Sequence, residues 1–270
     1  MSFTSRIAMV ATAAALLASS AAAETRLRIA GTVPAEHFGN AVLEQMAKDI
    51  EDAGVDLDVK YFPAGQLGSG EELLESAIRG EVQMVHATVY AQKDARLEIN
   101  SLPFMVTTKE ELDAVYGDPN SEYNKILGEI LTSFGIQPLG TIGEGLIGMI
   151  ATARPADPTK IASQGMNVRA WSSQIAKQTM EELGYNVTTL NWAEVFPAVQ
   201  AGTIDGAICC TPEWAYTTFA ASGVGNTYVP YNAFIESTMI YANKQFYDGL
   251  TDEQRAVVEK ESAEAAAEIS

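Results

Sequence analysis

One succession of elements occurs twice along this chain. In the first half, "TRLRIAGT" (25–32) reads as a strand. Next comes "AEHFGNAVLEQMAKDIEDAG" (35–54), with Phe38, Val42, Met46, Ala47 and Ile50 at helical spacing and Gly54 as a stop. "VDLDVKYF" (55–62) alternates apolar and polar residues as a strand does, and "EELLESAIRGEVQMVHAT" (71–88) reads as a helix closed by Gly80 with a strand from near Val82. The second half repeats this order: strand "NVRAW" (167–171), helix "SSQIAKQTMEELG" (172–184), strand "YNVTTLNW" (185–192), then "AEVFPAVQAGTIDGAIC" (193–209), a helix closed by Gly202 and a strand. Aligning Gly80 with Gly202 pairs Ala77 with Val199, Val82 with Ile204 and Gln83 with Asp205. Two such units predict two α/β lobes, each with a mostly parallel sheet. Clefts between lobes are where small ligands bind.

The remaining segments fill in this plan. "SLPFMVTTKEELDAVYGD" and "SEYNKILGEILTSFG" read as helical pieces around a proline-containing loop, and "IQPLGTI" and "LIGMIAT" as two apolar strands. The chain closes with "STMIYANKQFYDGL" and a helix from Thr251, where Thr251 and Gln254 form a capping-box pattern. Pro197 is expected near the first turn of its helix, where its missing N–H does no harm. The expected division is a first lobe over 24–140 and a second over 141–270 that includes the C-terminal helical segment. No low-complexity linker separates them, so the lobes should hinge.

Residues 1–23 read as a secretory signal peptide. Arg6 is the one charge before Glu24, "IAMVATAAALLA" is too short to span a membrane, and "AAA" at 21–23 is a small-residue cleavage site. The mature chain is expected to be soluble and periplasmic. The net charge of −18 argues against nucleic acid and anionic membrane surfaces as partners. The two cysteines, Cys209 and Cys210, are adjacent; a bridge between neighbours strains the intervening peptide, so none is expected. His37 and His86 have no ligand partner at metal spacing, so neither a metal nor a cofactor is expected.

"GEGLIG" (143–148) matches the dinucleotide fingerprint, which needs its last glycine to open a helix. "MIATARP" follows and reads as strand, so the match is refused. G-x-S-x-G, P-loop and H-E-x-x-H patterns are missing, and no feature points to an enzyme. Arg169, in contrast, stands at the C-terminal end of the first strand of the second lobe, the edge that faces the crevice in an open α/β sheet. Its guanidinium fork matches a carboxylate in two parallel hydrogen bonds. The helix that starts at Ser172 or Ser173 would aim its N-terminal amides the same way. The alternative is an internal ion pair with Glu144, Glu213 or Glu236, and the pattern alone weighs the two equally.

Six segments in order resemble the substrate-binding proteins of TRAP (tripartite ATP-independent periplasmic) transporters. They are "YFPAGQLG" (61–68), "AIRGEVQMV" (77–85), "SLPFM" (101–105), "GMNVRAW" (165–171), "GYNVTTLNWAEVFPAVQAGTIDG" (184–206) and "ANKQFYDGLTDEQRAVV" (242–258). The resemblance implies a two-lobed periplasmic-binding-protein fold that closes on a small organic acid and delivers it to membrane permease subunits, without chemistry. It also implies that Arg169 pairs with the ligand carboxylate. A ligand-sensing periplasmic receptor and a secreted enzyme on the same scaffold are the alternatives.

Three departures from the family pattern bear on the ligand. Cys209 stands where the family often has an asparagine that helps hold the carboxylate. Leu146 and Ile147 follow Gly145 where a second arginine is common, which favours a monocarboxylate. The family is usually longer beyond the position of Ser270, so the C-terminus reads as shortened or incomplete.

Other candidates for the ligand site follow from position. Trp171 is a candidate wall for the ligand body, and Trp214 and Phe234 are weaker ones, since aromatics are more often core. His37 lies in the loop that opens the first helix, Thr88 and Tyr90 follow the strand after Gly80 and offer hydroxyls, and Cys209 is a candidate by position.

Overall fold

The computed structural model describes residues 25–270, so the expected signal peptide lies outside the described residues. The first half runs β1 (Thr25–Gly31), α1 (Phe38–Asp52), β2 (Leu57–Phe62), α2 (Gly70–Ile78) and β3 (Met84–Ala87). A 3₁₀ segment (Ala95–Ser101), the short α3 (Lys109–Leu112) and α4 (Glu122–Thr132) lead to the long strand β4 (Ile136–Ala151). The second half runs β5 (Asn167–Ala170), α5 (Gln174–Glu182), β6 (Asn186–Thr189), α6 (Trp192–Gln200) and β7 (Gly206–Cys210). Then follow α7 (Pro212–Thr218), the long strand β8 (Thr227–Asn243), α8 (Lys244–Gly249) and α9 (Asp252–Ile269).

The strand order β2-β1-β3-β8-β4-β7-β5-β6 makes the repeat visible in space. β1 pairs in parallel with β2 and β3, and β5 in parallel with β6 and β7. The two triplets are joined by antiparallel pairing of β3 with β8, β8 with β4, and β4 with β7.

The correspondence extends to single hydrogen bonds. Gly80 and Gly202 close their helices at φ 73° and 71°, in the left-handed region that costs any other residue about 1–2 kcal/mol. Glu81 and Val82 both donate their N–H to the Ser76 carbonyl, as Thr203 and Ile204 do to that of Ala198. The N–H of Arg28 is accepted by the Gln83 side chain at 3.1 Å, and that of Asn167 by the Asp205 side chain at 2.7 Å.

Two expectations are corrected. "IQPLGTI" and "LIGMIAT" belong to one strand, β4, because each glycine of "GEGLIG" remains within it and pairs or bulges against β8. The register shifts between Gly143 and Gly145, leaving Glu144 as the extra residue of a bulge, with Gly145 at φ 141°. Pro197 is the sixth residue of α6 rather than in its first turn, because β6 ends at Thr189 and the Glu194 carboxylate accepts the Asn191 N–H. β4 and β8 pair with each other and each with a strand of one triplet, and α9 packs on α1. Val258 and Ile269 of α9 join Leu27, Ile29, Leu43 and Ile50 in one core. Leu73, Leu74, Leu127 and Leu131 fill the other face of the first half, while Met166, Val168, Met180 and Ile208 fill the second half.

Candidate functional site

Arg169 is the third residue of β5, next to Ala207 of β7 and Thr188 of β6. Parallel pairing on both sides sets the strand in the middle of its triplet, and its carboxyl end opens on the space between the halves. The side chain is 2% exposed. Its Nε donates to the Leu190 carbonyl at 2.9 Å, its guanidinium carbon lies 6.0 Å from the Trp192 ring centre, and Nη2 has no partner. Among the described residues it forms no ion pair, so the internal salt bridge with Glu144, Glu213 or Glu236 is not made. Burial pulls its pKa down, opposed by Tyr90, Glu71 and Glu236.

Around Arg169 a cleft of about 720 Å³, its mouth included, is lined from both halves and from the long strands. Thr88 and Tyr90 line it from the first half, Arg169, Trp171, Cys209 and Trp214 from the second. Two expected residues do not line it. Phe234 is 1% exposed and packs its ring edge-on to Trp171 at 5.1 Å, behind the cleft wall. It belongs to the core of the second half, with Met149, Val168 and Ile208. His37 is the N-cap of α1, its Nδ1 accepting from the Gly39 N–H at 3.2 Å and its ring packing on Trp214 at 4.3 Å. In the neutral tautomer its proton then sits on Nε2, which faces Glu144 at 3.6 Å and Glu213 at 3.5 Å. Burial holds its pKa below the usual value, against the pull of Glu213.

The two halves are tied across the cleft. Trp171 Nε1–H donates to Ser101 Oγ at 2.9 Å, Ser172 Oγ to Glu71 at 3.2 Å, and the Gln174 N–H to Glu98 at 2.7 Å. Ser173, the N-cap of α5, also donates to Glu98. This corrects the expectation that the N-terminal amides of α5 are offered to a ligand, since a carboxylate of the opposite half already occupies that end. The same favourable partial charge now holds the halves together.

The expectation of two unbridged cysteines is also overturned: Cys209 and Cys210 form a disulfide at the end of β7. Cys209 thus presents a bridged sulfur to the cleft, with neither thiol nor amide.

Sequence reasoning missed other parts of the lining. Trp192 and Trp214 stand 5.9 Å apart, so all three tryptophans of the chain line the cleft. Glu236 enters from β8 beside Thr238. Just behind it lies Glu144, whose side chain is 5% exposed and accepts the Trp214 Nε1–H at 2.9 Å while its Oε1 has no partner. Burial pushes Glu144 up to about 7, with Glu213 adding to the shift and the bonds from Trp214 and Thr238 opposing it. Burial, then Glu144, raises Glu236 well above the carboxylate range against the pull of Arg169. The one signal in the sequence was the glycine pair around Glu144, which marks a bulge as readily as a nucleotide loop.

Such a site can bind an anion at Arg169 and close around it. No cluster of metal-ligating side chains occurs among the described residues.

The comparisons with known proteins agree in kind. The chain is 23% identical over 226 residues to the ectoine/5-hydroxyectoine-binding periplasmic protein UehA of Ruegeria pomeroyi, covering 81% of this chain and 64% of that protein. To the C4-dicarboxylate-binding periplasmic protein DctP of Rhodobacter capsulatus it is 28% identical over 230 residues, covering 84% and 66%. The chain therefore spans about two thirds of the length of these curated relatives. A TRAP periplasmic solute binding protein from Citrobacter koseri, with bound D-glucuronate, shares the fold at a TM-score of 0.79 and 23% identity, covering 91% of this chain and 81% of that one. The family described as bacterial extracellular solute-binding protein, family 7 (DctP), matches residues 29–270, and this chain belongs to that family of TRAP solute-binding proteins.

Proposed function

We propose that this chain captures a small organic acid, a monocarboxylate by preference, outside the cytoplasmic membrane and delivers it to the permease subunits of a TRAP transporter. The observation that carries this reading is the buried Arg169, which lines the cleft with its Nη2 unpartnered while its Nε is fixed on Leu190. A guanidinium held by one nitrogen keeps its remaining fork aimed, which suits a carboxylate. Closure is the mechanism: the ligand bridges groups from both halves, binds the closed form better than the open one, and so shifts the population. The preference for one carboxylate rests on Ile147, which lines the cleft beside Leu146 where a second cation would be needed. An unpaired buried charge costs several kcal/mol.

The test is a thermal-shift screen of monocarboxylates against succinate and malate, followed by calorimetry on Arg169→Lys with the best acid. The ammonium cannot reproduce the fork, so affinity should fall by roughly tenfold or more. Unchanged affinity would remove Arg169 from the ligand site. Stabilisation by the dicarboxylates alone would show that another group holds a second carboxylate.

A further inference from the structure

Resting on that reading, we propose that the acid is a zwitterion, whose cationic nitrogen lies at the end of the cleft formed by Glu236 and the face of Trp214. Two independent features carry this. The first is the charge balance. Glu236 lines the cleft and Glu144 lies directly behind it, and among the described residues no lysine or arginine pairs with either. The neighbour of Glu144 is His37, whose burial favours the neutral ring. Glu213 faces the same histidine and adds further negative charge. Arg169 is the cation nearest Glu236, and a ligand carboxylate would claim it. Once that carboxylate is seated, Glu236 is left with either a proton or a cation brought by the ligand.

The second feature is the wall. Trp171, Trp192 and Trp214 all line this one cleft. Trp192 stands at the guanidinium end, 6.0 Å from the Arg169 carbon, and Trp214 at the acid end, with its Nε1–H on Glu144. Indole faces attract cations through their quadrupole, most strongly when water is excluded, and aromatic cages bind ammonium ligands on this principle. They give no such advantage to a sugar hydroxyl or a second carboxylate. An acid beside an indole therefore selects a positive nitrogen, while the arginine at the other end selects the carboxylate.

Matched pairs of equal shape test this on the intact protein by calorimetry. One pair is glycine betaine and 3,3-dimethylbutyrate, where a quaternary nitrogen replaces a carbon; the other is L-proline and cyclopentanecarboxylate. The zwitterion of at least one pair should bind about tenfold more tightly than its uncharged-body partner, and D-glucuronate should bind more weakly than that zwitterion. In Glu236→Gln the preference within the pair should shrink severalfold. Carboxylates that bind without preference for the nitrogen would overturn this inference and leave the carboxylate reading standing. If no carboxylate is bound, both fall. A wild-type preference that persists unchanged in Glu236→Gln would move the cation site away from Glu236 and overturn the assignment.

Discussion

At the same place in the two halves, the chain sets Ala30 in one and Arg169 in the other. Ala30 pairs with Val85 of β3 as Arg169 pairs with Ala207 of β7, and both side chains are buried. The scaffold beneath them is shared down to the glycine that closes each second helix. Ala30 is surrounded by Leu73, Leu74 and Ala77 of its own half, and no polar atom is asked of it. Arg169 has a carbonyl for one nitrogen and nothing for another. The backbone is thus indifferent to what the residue at this place does. One half uses it for packing, and the other keeps a buried cation whose Nη2 has no partner among the described residues.

The sharpest way to break this contrast is Arg169→Ala, which gives the second half the residue of the first. Binding of the native acid should fall by more than about a hundredfold, because a buried charge pair that loses one member costs roughly 3 kcal/mol or more. The unliganded protein should keep or raise its melting temperature, since a desolvated guanidinium without a carboxylate is removed. A fall of several degrees without ligand would show that Arg169 works for the fold, as an internal tie.

The halves also differ one strand over, where His86 of β3 corresponds to Ile208 of β7. His86 Nε2 lies 2.9 Å from Thr238 Oγ1, and burial, then the neighbouring His37, lowers its pKa to about 3. The folded pKa lies below the unfolded one, so the unfolded chain binds the extra proton. Stability is therefore present above pH ~6.5 and is lost as pH falls toward 3, by about 2–3 kcal/mol at pH 4.5. Ile208 has no such dependence. Denaturation of wild type and His86→Gln across this range should show the variant losing less on acidification; parallel curves would mean that His86 does not carry the effect.

The smallest expected difference lies in the side chains that hold the strand N–H groups. Asp205 accepts from Asn167 as a carboxylate, Gln83 from Arg28 as an amide. Charge-assisted bonds are stronger, so Asp205→Ala should cost about 1.5–2 kcal/mol and Gln83→Ala about 1 kcal/mol. Urea titrations of the two variants decide the order. A larger loss in Gln83→Ala would show that its further bonds, from Arg28 Nε and to the Gly80 carbonyl, outweigh the difference in charge.

Much of this was legible because it is local. Helical spacing, Ser and Thr caps and closing glycines are properties of a few neighbouring residues, so both repeats, and the strand position of Arg169 with them, could be read directly. The lining of the cleft was legible only in part. Trp171, Thr88, Tyr90 and Trp214 follow strands whose ends face the crevice, Cys209 lies at the end of one, and position alone places them. Glu236 and Trp192 come from a strand and a helix start whose facing depends on what packs behind them. His37 and Phe234 resemble site residues in sequence, yet capping and packing claim them.

By itself the sequence determined the repeated α/β units and the single arginine at a strand end, since both arise from short-range periodicity and steric preference. Tertiary structure decided the rest, through contacts that have no local mark. "GEGLIG" became part of one strand because β8 pairs along its length. Cys209 and Cys210 bridge at the end of β7, although adjacency alone argues against it. α9 lies on α1, far from it in sequence, because the apolar surface of the first half needs covering. The acid end of the cleft exists because bulged β4 and β8 bring Glu144 and Glu236 side by side, where removal from water shifts both and no periodicity along the chain foretells it.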